Sequence, residues 1–187
     1  MKIFYTASFS GKEKYQKYYD LVLAALEKTG VEVISPEKGN YKRALSTRER
    51  SKWSHQPKIE HYEAIRNGIT LADAVVIEIS NEDFQLGHEA TLAIHAKKPV
   101  LCLSLHEDFS EKINNRYFHG ARYNEYDVEE VVAEFVKRAR REFLKERFNL
   151  FLSAAQVKYL HKQAAAAGIP SSEYLRELID RDRNIPA

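Results

Sequence analysis

Cysteine is nearly absent from this chain, because Cys102 is the one cysteine among 187 residues. No disulfide can therefore form within the chain, and its place in the apolar run Pro99–Leu105 predicts a buried core thiol. The first residues, MKIFYTAS, show no signal-peptide pattern. No apolar run approaches the roughly 20 residues that a membrane-spanning helix needs. We therefore expect a soluble, cytoplasmic protein.

A large excess of charge of one sign is also missing, since the formal net charge is +2. The chain as a whole is not basic enough to imply binding to nucleic acid. The seven histidines form no metal-ligand spacing with one another, with cysteine or with acids, so we predict no metal site and no cofactor. A composition of 44% hydrophobic and 30% charged residues fits one compact α/β domain with a small appendage.

Strand and helix patterns alternate along the first 145 residues. Strands are predicted at Lys2–Thr6, Val31–Ser35, Ala74–Ile79, Val100–Leu105 and near Ala121–Asn124. Helices are predicted at Glu13–Thr29, Ile59–Leu71, Gly87–Ala96 and Val128–Lys145. This alternation predicts a parallel sheet with helices on both faces. The polar, poorly periodic segment Glu37–Pro57 is interpreted as a long connection that is functional or mobile.

Glu89 is the residue most indicative of function. In parallel α/β folds, ligands bind outside the carboxyl ends of the strands, where we expect the loops Ala7–Lys12 and Ser80–Gly87 to form one pocket. Glu89 is predicted to begin the helix after the second loop. A helix N-terminus favours an anion by roughly 0.3–1 kcal/mol, so the carboxylate should be ionised at neutral pH, as a nucleophile must be. The alternative is a glutamate that only caps the helix.

Two neighbouring segments add weaker signals. The small residues of TASFSGK (residues 6–12) could let backbone N–H groups reach a phosphate or a sugar. The segment is neither a GxGxxG nor a Walker A motif, and an ordinary strand-to-helix turn explains it equally well. His88, beside Glu89, is either a ligand contact or a solvated histidine at the start of the helix.

The chain changes character after Lys145, which divides it into domains 1–145 and 146–187. Arg147–Leu152 (RFNLFL) alternates like a strand, and Ser153 with Gln156 predicts a capping box. A helix should follow to Ala167, with a last helix running to about residue 183. Some 40 residues bury too little apolar surface to be stable alone, so this tail should dock on the main domain or pair with a second copy.

Residues 1–140 resemble the nucleoside 2-deoxyribosyltransferase superfamily, and the branch they are most similar to is the 2'-deoxynucleoside 5'-monophosphate N-glycosidases. The resemblance is carried by MKIFYTASFSG, ADAVVIEIS, GHEATLAIHAKKPVLCL and EYDVEEVVAEF. It implies a flavodoxin-like fold and a dimer or larger assembly. It also implies a double displacement, in which Glu89 attacks the anomeric carbon of a 2-deoxyribosyl group and releases the base. Water or a second base then takes the sugar.

The resemblance also implies a set of substrate contacts and several departures. The contacts would come from Phe4, Ala7, Ser8, Phe9, Ser10, Gly11, Asp83, Gly87 and His88. The family's assisting tyrosine, base-recognising aspartate and two phosphate-binding serines fall at Phe4, Ile65, Asp83 and Ala121; a basic loop residue falls at Ser10 and a glycine at Gln85. The nucleophile is thus kept while the phosphate site is largely lost. Either the substrate is not a simple 5'-monophosphate, or catalysis has weakened or been lost.

The tail resembles a ribbon–helix–helix domain of the Arc repressor type. In such domains, strands pair across a dimer and their outward residues enter the major groove. Here these residues would be Arg147, Asn149 and Phe151. Arginine and asparagine are good readers of bases, whereas Phe151 replaces a polar or basic reader. A dimerisation clasp is therefore an equal alternative to DNA binding.

Three functional hypotheses follow. The first is an N-ribosyl hydrolase or transferase that cleaves the N-glycosidic bond of a nucleoside or nucleotide, with Glu89 as nucleophile. The second is a non-catalytic nucleotide sensor whose tail binds DNA. The third is hydrolysis of a larger ribosyl compound such as NAD, which would account for the lost monophosphate site. The first two predict a homodimer held by the tail.

Overall fold

The computed structural model describes residues 1–143 and 150–183 of the chain. The chain divides into two compact units, Met1–Lys145 and Glu146–Ala187. Each unit is described here by itself. Among the described residues, no helix combines the length and the apolar character that crossing a membrane requires.

The first unit is built on a five-stranded, all-parallel sheet. Its strands are β1 (Lys2–Ala7), β2 (Glu32–Ile34), β3 (Ala74–Glu78), β4 (Val100–Ser104) and β5 (Phe118–Arg122). They lie in the order β2-β1-β3-β4-β5, and every neighbouring pair is parallel. This is the flavodoxin-like strand order, so the predicted fold class is confirmed. The chain adds β2 on one side of β1 and β3 on the other, so the strand order switches between β1 and β3.

Helices cover both faces of this sheet, as predicted. The helices of the first unit are α1 (Lys12–Lys28), α2 (Thr47–Trp53), α3 (Pro57–Leu71), α4 (Phe84–His95) and α5 (Val128–Phe143). One core joins the sheet to α1 and α5 and contains Tyr5, whereas the other joins it to α3 and α4 and contains Phe4. Adjacent residues of β1 therefore enter opposite cores, because side chains alternate along a strand.

Two predictions about the first unit were wrong. The segment Glu37–Pro57, predicted to be one long connection, holds a 3₁₀ helix (Tyr41–Ala44) and α2. Ser46 and Glu49 form a reciprocal capping box at the start of α2, a signal that the short helix's weak periodicity hid. The last strand was also misplaced: pairing with β4 sets β5 at Phe118–Arg122 rather than near Ala121–Asn124.

Gly68, in α3, allows the helix to approach β1. A Cβ built on Gly68 would lie 2.5 Å from Cε2 of the fully buried Phe4 ring, whereas one on Gly87 of α4 would meet nothing. We expect Gly68→Ala to lower the free energy of unfolding, because overpacking costs about 1–3 kcal/mol and outweighs the roughly 1 kcal/mol gained in helix propensity. Gly87→Ala is the matched control and should be stabilising. Urea denaturation of both variants measures the difference, and equal midpoints would contradict the close approach.

The second unit contains α6 (Ala154–Ala167) and α7 (Ser171–Arg183). The predicted capping box of Ser153 and Gln156 is confirmed, and Gly168 ends α6 in the left-handed conformation with φ 69°. The predicted strand at 147–152 is not seen in its described part, because residues 150–152 have no regular secondary structure. Its remaining residues lie outside the described part of the chain.

Candidate active site around Glu89

The loops after β1 and β3 meet at the carboxyl edge of the sheet. The buried Ser8 Oγ donates to Asp83 Oδ2 at 3.0 Å. Asn81 Nδ2 donates to both Ser8 Oγ and Ser10 Oγ at 3.0 Å. The neighbouring glycine, Gly11, is also close-packed, since a Cβ there would lie 2.6 Å from Asn81 Cβ. The two loops that the sequence brought to one edge are therefore in direct contact.

Glu89 does not begin its helix, contrary to the prediction. The helix α4 starts three residues before the predicted Gly87, at Phe84, because Asp83 serves as its N-cap and accepts a hydrogen bond from Gln85 N at 2.9 Å. Glu89 therefore lies in the second turn, where the helix dipole has faded. The alternative of a glutamate that only caps the helix is wrong for the same reason.

The Glu89 carboxyl group is enclosed in the protein. The residue is 1% exposed; Gln85 Nε2 donates to its Oε1 at 2.9 Å, and Oε2 has no hydrogen-bond partner among the described residues. Burial raises its pKa to about 7, hydrogen bonds from Gln85 and Thr6 lower the pKa, and the Asp83 charge raises it slightly. The expectation of full ionisation at neutral pH is therefore not met, because the desolvation of the buried carboxylate outweighs the hydrogen bonds from Gln85 and Thr6.

A pocket of about 720 Å³ is lined in part by Gln85, the residue that donates a hydrogen bond to Glu89, whereas Glu89 itself does not line it. Tyr62 and His88 stack along it with ring centroids 6.0 Å apart, and the Tyr62 hydroxyl lies 3.3 Å from His88 Nε2. Phe84, at the start of α4, is 92% exposed. The pocket is lined by Pro57, Lys58, His61, Tyr62, Phe84, Gln85 and His88.

Sequence reasoning identified only part of this pocket. His88 was among the predicted contacts, and Gln85 was noted only as a departure from the family pattern. Phe84, Tyr62 and His61 were missed. Phe84 follows the N-cap Asp83, so recognising that cap would have placed the phenylalanine at an exposed helix start. The sequence alone does not show that α3 packs against α4.

The predicted contacts in and before the first loop lie in different environments. Phe4 is fully buried in the core against α3. Phe9 is exposed, and the ammonium group of Lys12 lies 5.8 Å from its ring centroid. The others range from buried (Ser8, Gly11) through half-buried (Ala7) to exposed (Ser10).

The residues at the other positions that depart from the family pattern lie in the core, on the helix surface and on β5. Ile65, where the family has its aspartate, is buried in the core of α3 and α4. Glu63, two residues before Ile65, pairs with Arg66 at 2.9 Å on the same helix. Ala121 lies on β5, and Gly87 is exposed with open space around it.

A second buried carboxyl group, Glu78, was missed. It ends β3, is fully buried, and accepts hydrogen bonds from Ser80 Oγ and, at 2.9 Å, from the Tyr123 hydroxyl. Burial raises its pKa, while these hydrogen bonds lower it. The only sequence signal is an acid at the end of the apolar run AVVI. Because Ser80 follows β3 and Tyr123 follows β5, Glu78 links the ends of these two strands.

The predicted DNA-reading residues fall largely outside the described part of the chain. Arg147 and Asn149 lie there, so their placement stays a prediction. Phe151 is described, has no regular secondary structure and is 98% exposed. An exposed ring of this kind does not distinguish DNA binding from dimerisation.

The described residues offer little for metal binding or thiol chemistry. Across residues 1–143 and 150–183, no cluster of three or more histidine, cysteine, aspartate or glutamate side chains is arranged to hold a metal ion. Cys102 is buried in β4, as predicted, and burial raises its pKa to about 12. A thiol of this kind is unreactive at neutral pH.

Comparison with known proteins includes two weak likenesses to solved structures. No protein-family profile and no curated protein matches the chain. A CMP N-glycosidase of Clostridium botulinum, BcmB, is 15% identical with a TM-score of 0.46, over 73% of this chain and 99% of that one. A prokaryotic SEFIR domain is 18% identical with a TM-score of 0.38, over 82% of this chain and 99% of that one. The chain is thus similar to these structures only in broad outline.

Proposed function

We propose that the first unit cleaves the N-glycosidic bond of a nucleoside or nucleotide, with Glu89 as the nucleophile. The observation that carries the proposal is the Glu89 carboxyl group itself. It is buried at the strand-order switch point and keeps one oxygen, Oε2, without a hydrogen-bond partner among the described residues. A buried acceptor without a partner is costly in a structural role, and functional sites are where such groups persist.

The reaction is a double displacement on the anomeric carbon. An oxygen of the Glu89 carboxylate forms a bond to C1', and the C1'–N bond breaks with its electron pair going to the base, which takes a proton from water. A water molecule then attacks C1', releases the free sugar and restores the carboxylate. A second base in place of water would make the same chemistry a transfer.

The aromatic pocket beside Gln85 is proposed to receive the leaving base. Its rings, from Tyr62, His88 and Phe84, suit the flat face of a heteroaromatic ring. The Gln85 side chain lies between this pocket and Glu89, with its Nε2 2.9 Å from Glu89 Oε1. Gln85 therefore has to turn away for the sugar to reach the carboxylate, and its amide then becomes free to bind the substrate.

The loop beside Glu89 disfavours a 5'-phosphate. Asp83 bonds to Ser8 at 3.0 Å, so a negative charge occupies the place where the resemblance would put a phosphate. A phosphate placed beside this carboxylate would be repelled by its like charge. We therefore propose a nucleoside, or a nucleotide whose phosphates lie elsewhere, in preference to a simple 5'-monophosphate.

The direct test is base release measured by liquid chromatography. The protein is incubated with nucleosides, 2'-deoxynucleosides, their 5'-monophosphates and NAD. We expect release of base from at least one nucleoside, and a sugar adduct on the peptide that contains Glu89 when the reaction is quenched and analysed by mass spectrometry. Absence of release from every compound would overturn the proposal and favour the nucleotide-sensor hypothesis.

The second unit is proposed to associate with a second copy of itself. Its two helices form an apolar groove of about 370 Å³, lined by Leu152, Ala155, Gln156, Tyr159, Leu160, Leu175 and Leu178. Tyr159 and Ile179 are large apolar residues that remain exposed on this small unit. Two helices of this size bury too little apolar surface to be stable alone, which favours pairing.

Tyr159→Glu should therefore weaken association, because it places a charge in the proposed interface. Analytical ultracentrifugation of the full chain should show a dimer at micromolar concentration, and the variant should shift towards monomer. His161→Glu, at an exposed position of α6 that does not line the groove, is the control for the added charge. A wild-type monomer, or an unchanged dimer in the Tyr159 variant, would contradict this interface.

A further inference from the structure

A second pocket lies at the carboxyl ends of β4 and β5. Its volume is about 750 Å³, within the range of pockets that hold small molecules. The residues that matter for its chemistry are Lys14, Tyr15, Tyr18, His106, Arg122 and Tyr126. We call it the β4–β5 pocket.

The β4–β5 pocket is separate from the Glu89 site. Its helical wall comes from α1, which packs in the core that contains Tyr5. Glu89 is carried by α4, which packs in the core that contains Phe4, on the opposite face of the sheet. A ligand in this pocket therefore does not occupy the proposed active site.

Aromatic rings form much of its wall. Tyr126 is 90% exposed, and its backbone is fixed by a hydrogen bond from its N–H to Asn124 Oδ1 at 2.8 Å. Tyr15 and His106 meet edge to face with centroids 6.0 Å apart, and the tyrosine hydroxyl lies 3.1 Å from His106 Nε2. An exposed aromatic side chain on a well-held backbone offers a ready stacking surface at little entropic cost.

The cations of the pocket are available to a ligand, whereas its acids are engaged. Arg122 uses its Nε to bind Leu105 O at 3.3 Å, and among the described residues no carboxylate pairs with its terminal nitrogens. Lys14 lies over the Tyr15 ring, 4.9 Å from its centroid. Of the two acids of the pocket, Glu125 pairs with Lys17 at 2.6 Å.

The other acid, Asp127, accepts hydrogen bonds from Asn124 N at 2.7 Å and from Asn124 Nδ2 at 2.6 Å. Both carboxylates of the pocket are therefore held by neighbouring donors. The groups left to meet a ligand are a guanidinium, an ammonium and several aromatic rings, which together match an anion attached to a flat ring.

We propose that the β4–β5 pocket binds an aromatic ring that carries a phosphate group, as in a mononucleotide. The Arg122 guanidinium and the Lys14 ammonium bind the phosphate, and Tyr126 stacks on the ring. The site is independent of the proposed glycosidase chemistry, because no residue of the Glu89 site lines it. It gives the protein a second place to recognise a nucleotide.

The test is calorimetric titration with adenosine and uridine 5'-monophosphates, in the Glu89→Gln background so that no turnover consumes the ligand. Adenosine, uridine and inorganic phosphate are titrated in parallel. The binding that Arg122→Gln removes is the binding at the β4–β5 pocket, which separates it from any nucleoside bound at the Glu89 site. In this component we expect each mononucleotide to bind at least about tenfold more tightly than its nucleoside or phosphate alone, because both parts of the pocket are then used. Equal affinity for nucleoside and nucleotide in this component, or no binding of either mononucleotide, would overturn the proposal.

Variants locate the binding. Arg122→Gln and Tyr126→Ala change exposed side chains and should each weaken mononucleotide binding by about tenfold or more. Arg116→Gln, at an exposed arginine that does not line the pocket and lies 4.8 Å from the Tyr117 ring centroid, should leave the affinity unchanged. If neither pocket variant alters an observed binding, the ligand binds elsewhere and the assignment is wrong.

Discussion

Glu89→Gln should lower base release on the order of 10³-fold or more, because an amide oxygen cannot replace the carboxylate that attacks the anomeric carbon. The substitution keeps the shape of the side chain and can still bond to Gln85, so the fold should be retained. The measurement is single-turnover base release by liquid chromatography on the best substrate found. Glu82→Gln, in the exposed loop before α4, is the control and should leave the rate unchanged.

The pH dependence of the wild-type rate gives this first prediction a second readout. Burial raises the pKa of Glu89 to about 7, and only the ionised form attacks. The value of kcat/KM should therefore rise as the pH passes through about 7 and then level off. A rate that falls as the pH rises through 7 would assign Glu89 the role of a proton donor, and a Gln variant that retains wild-type activity would remove it from the chemistry.

The second large effect concerns stability. The folded pKa of Glu89, about 7, lies above its ordinary value of 4.5. The stabilisation from the protonated group is fully present below pH 4.5 and is lost as the pH rises through 7. From the difference in pKa, the loss is about 3 kcal/mol. Glu89→Gln removes this dependence, so the variant should be the more stable protein above pH 8.

Urea denaturation at intervals between pH 4 and pH 9 measures this effect. The informative quantity is the difference between the Gln variant and the wild type, since Glu78, whose pKa is also raised by burial, titrates in both proteins. That difference should be small near pH 4, grow as the pH rises from about 4.5 to about 7, and stay constant above that. A difference that stays flat across the range would mean that the pKa of Glu89 is the same in the folded and the unfolded protein.

The sheet could be predicted from the sequence because its determinants are local. Runs such as AVVIE and VLCLS are buried on both faces of the sheet, as parallel strands require, and helical patterns separate them. The approach of the first and third strand-to-helix loops followed from the topology alone. The short helix α2 was not predicted, because seven residues show little periodicity, although Ser46 and Glu49 form a capping box.

The protonation state of Glu89 could not be predicted, because it depends on how much protein surrounds the carboxyl group. The sequence suggested a helix start, where the dipole would favour the anion, whereas Asp83 takes that place and Glu89 lies one turn deeper. The ring contact between Tyr62 and His88 could not be predicted either, since it depends on how α3 packs against α4.

The hydrogen bonds of Glu78 have a consequence for local opening. Its carboxylate accepts from Tyr123 beyond β5 and from Ser80, whose Oγ in turn accepts from Leu105 N beyond β4. One buried carboxyl group thus links the ends of three strands, and separating any one of them leaves a polar group without a partner. The amides at these three ends should exchange with deuterium at a common rate, as one cooperative unit.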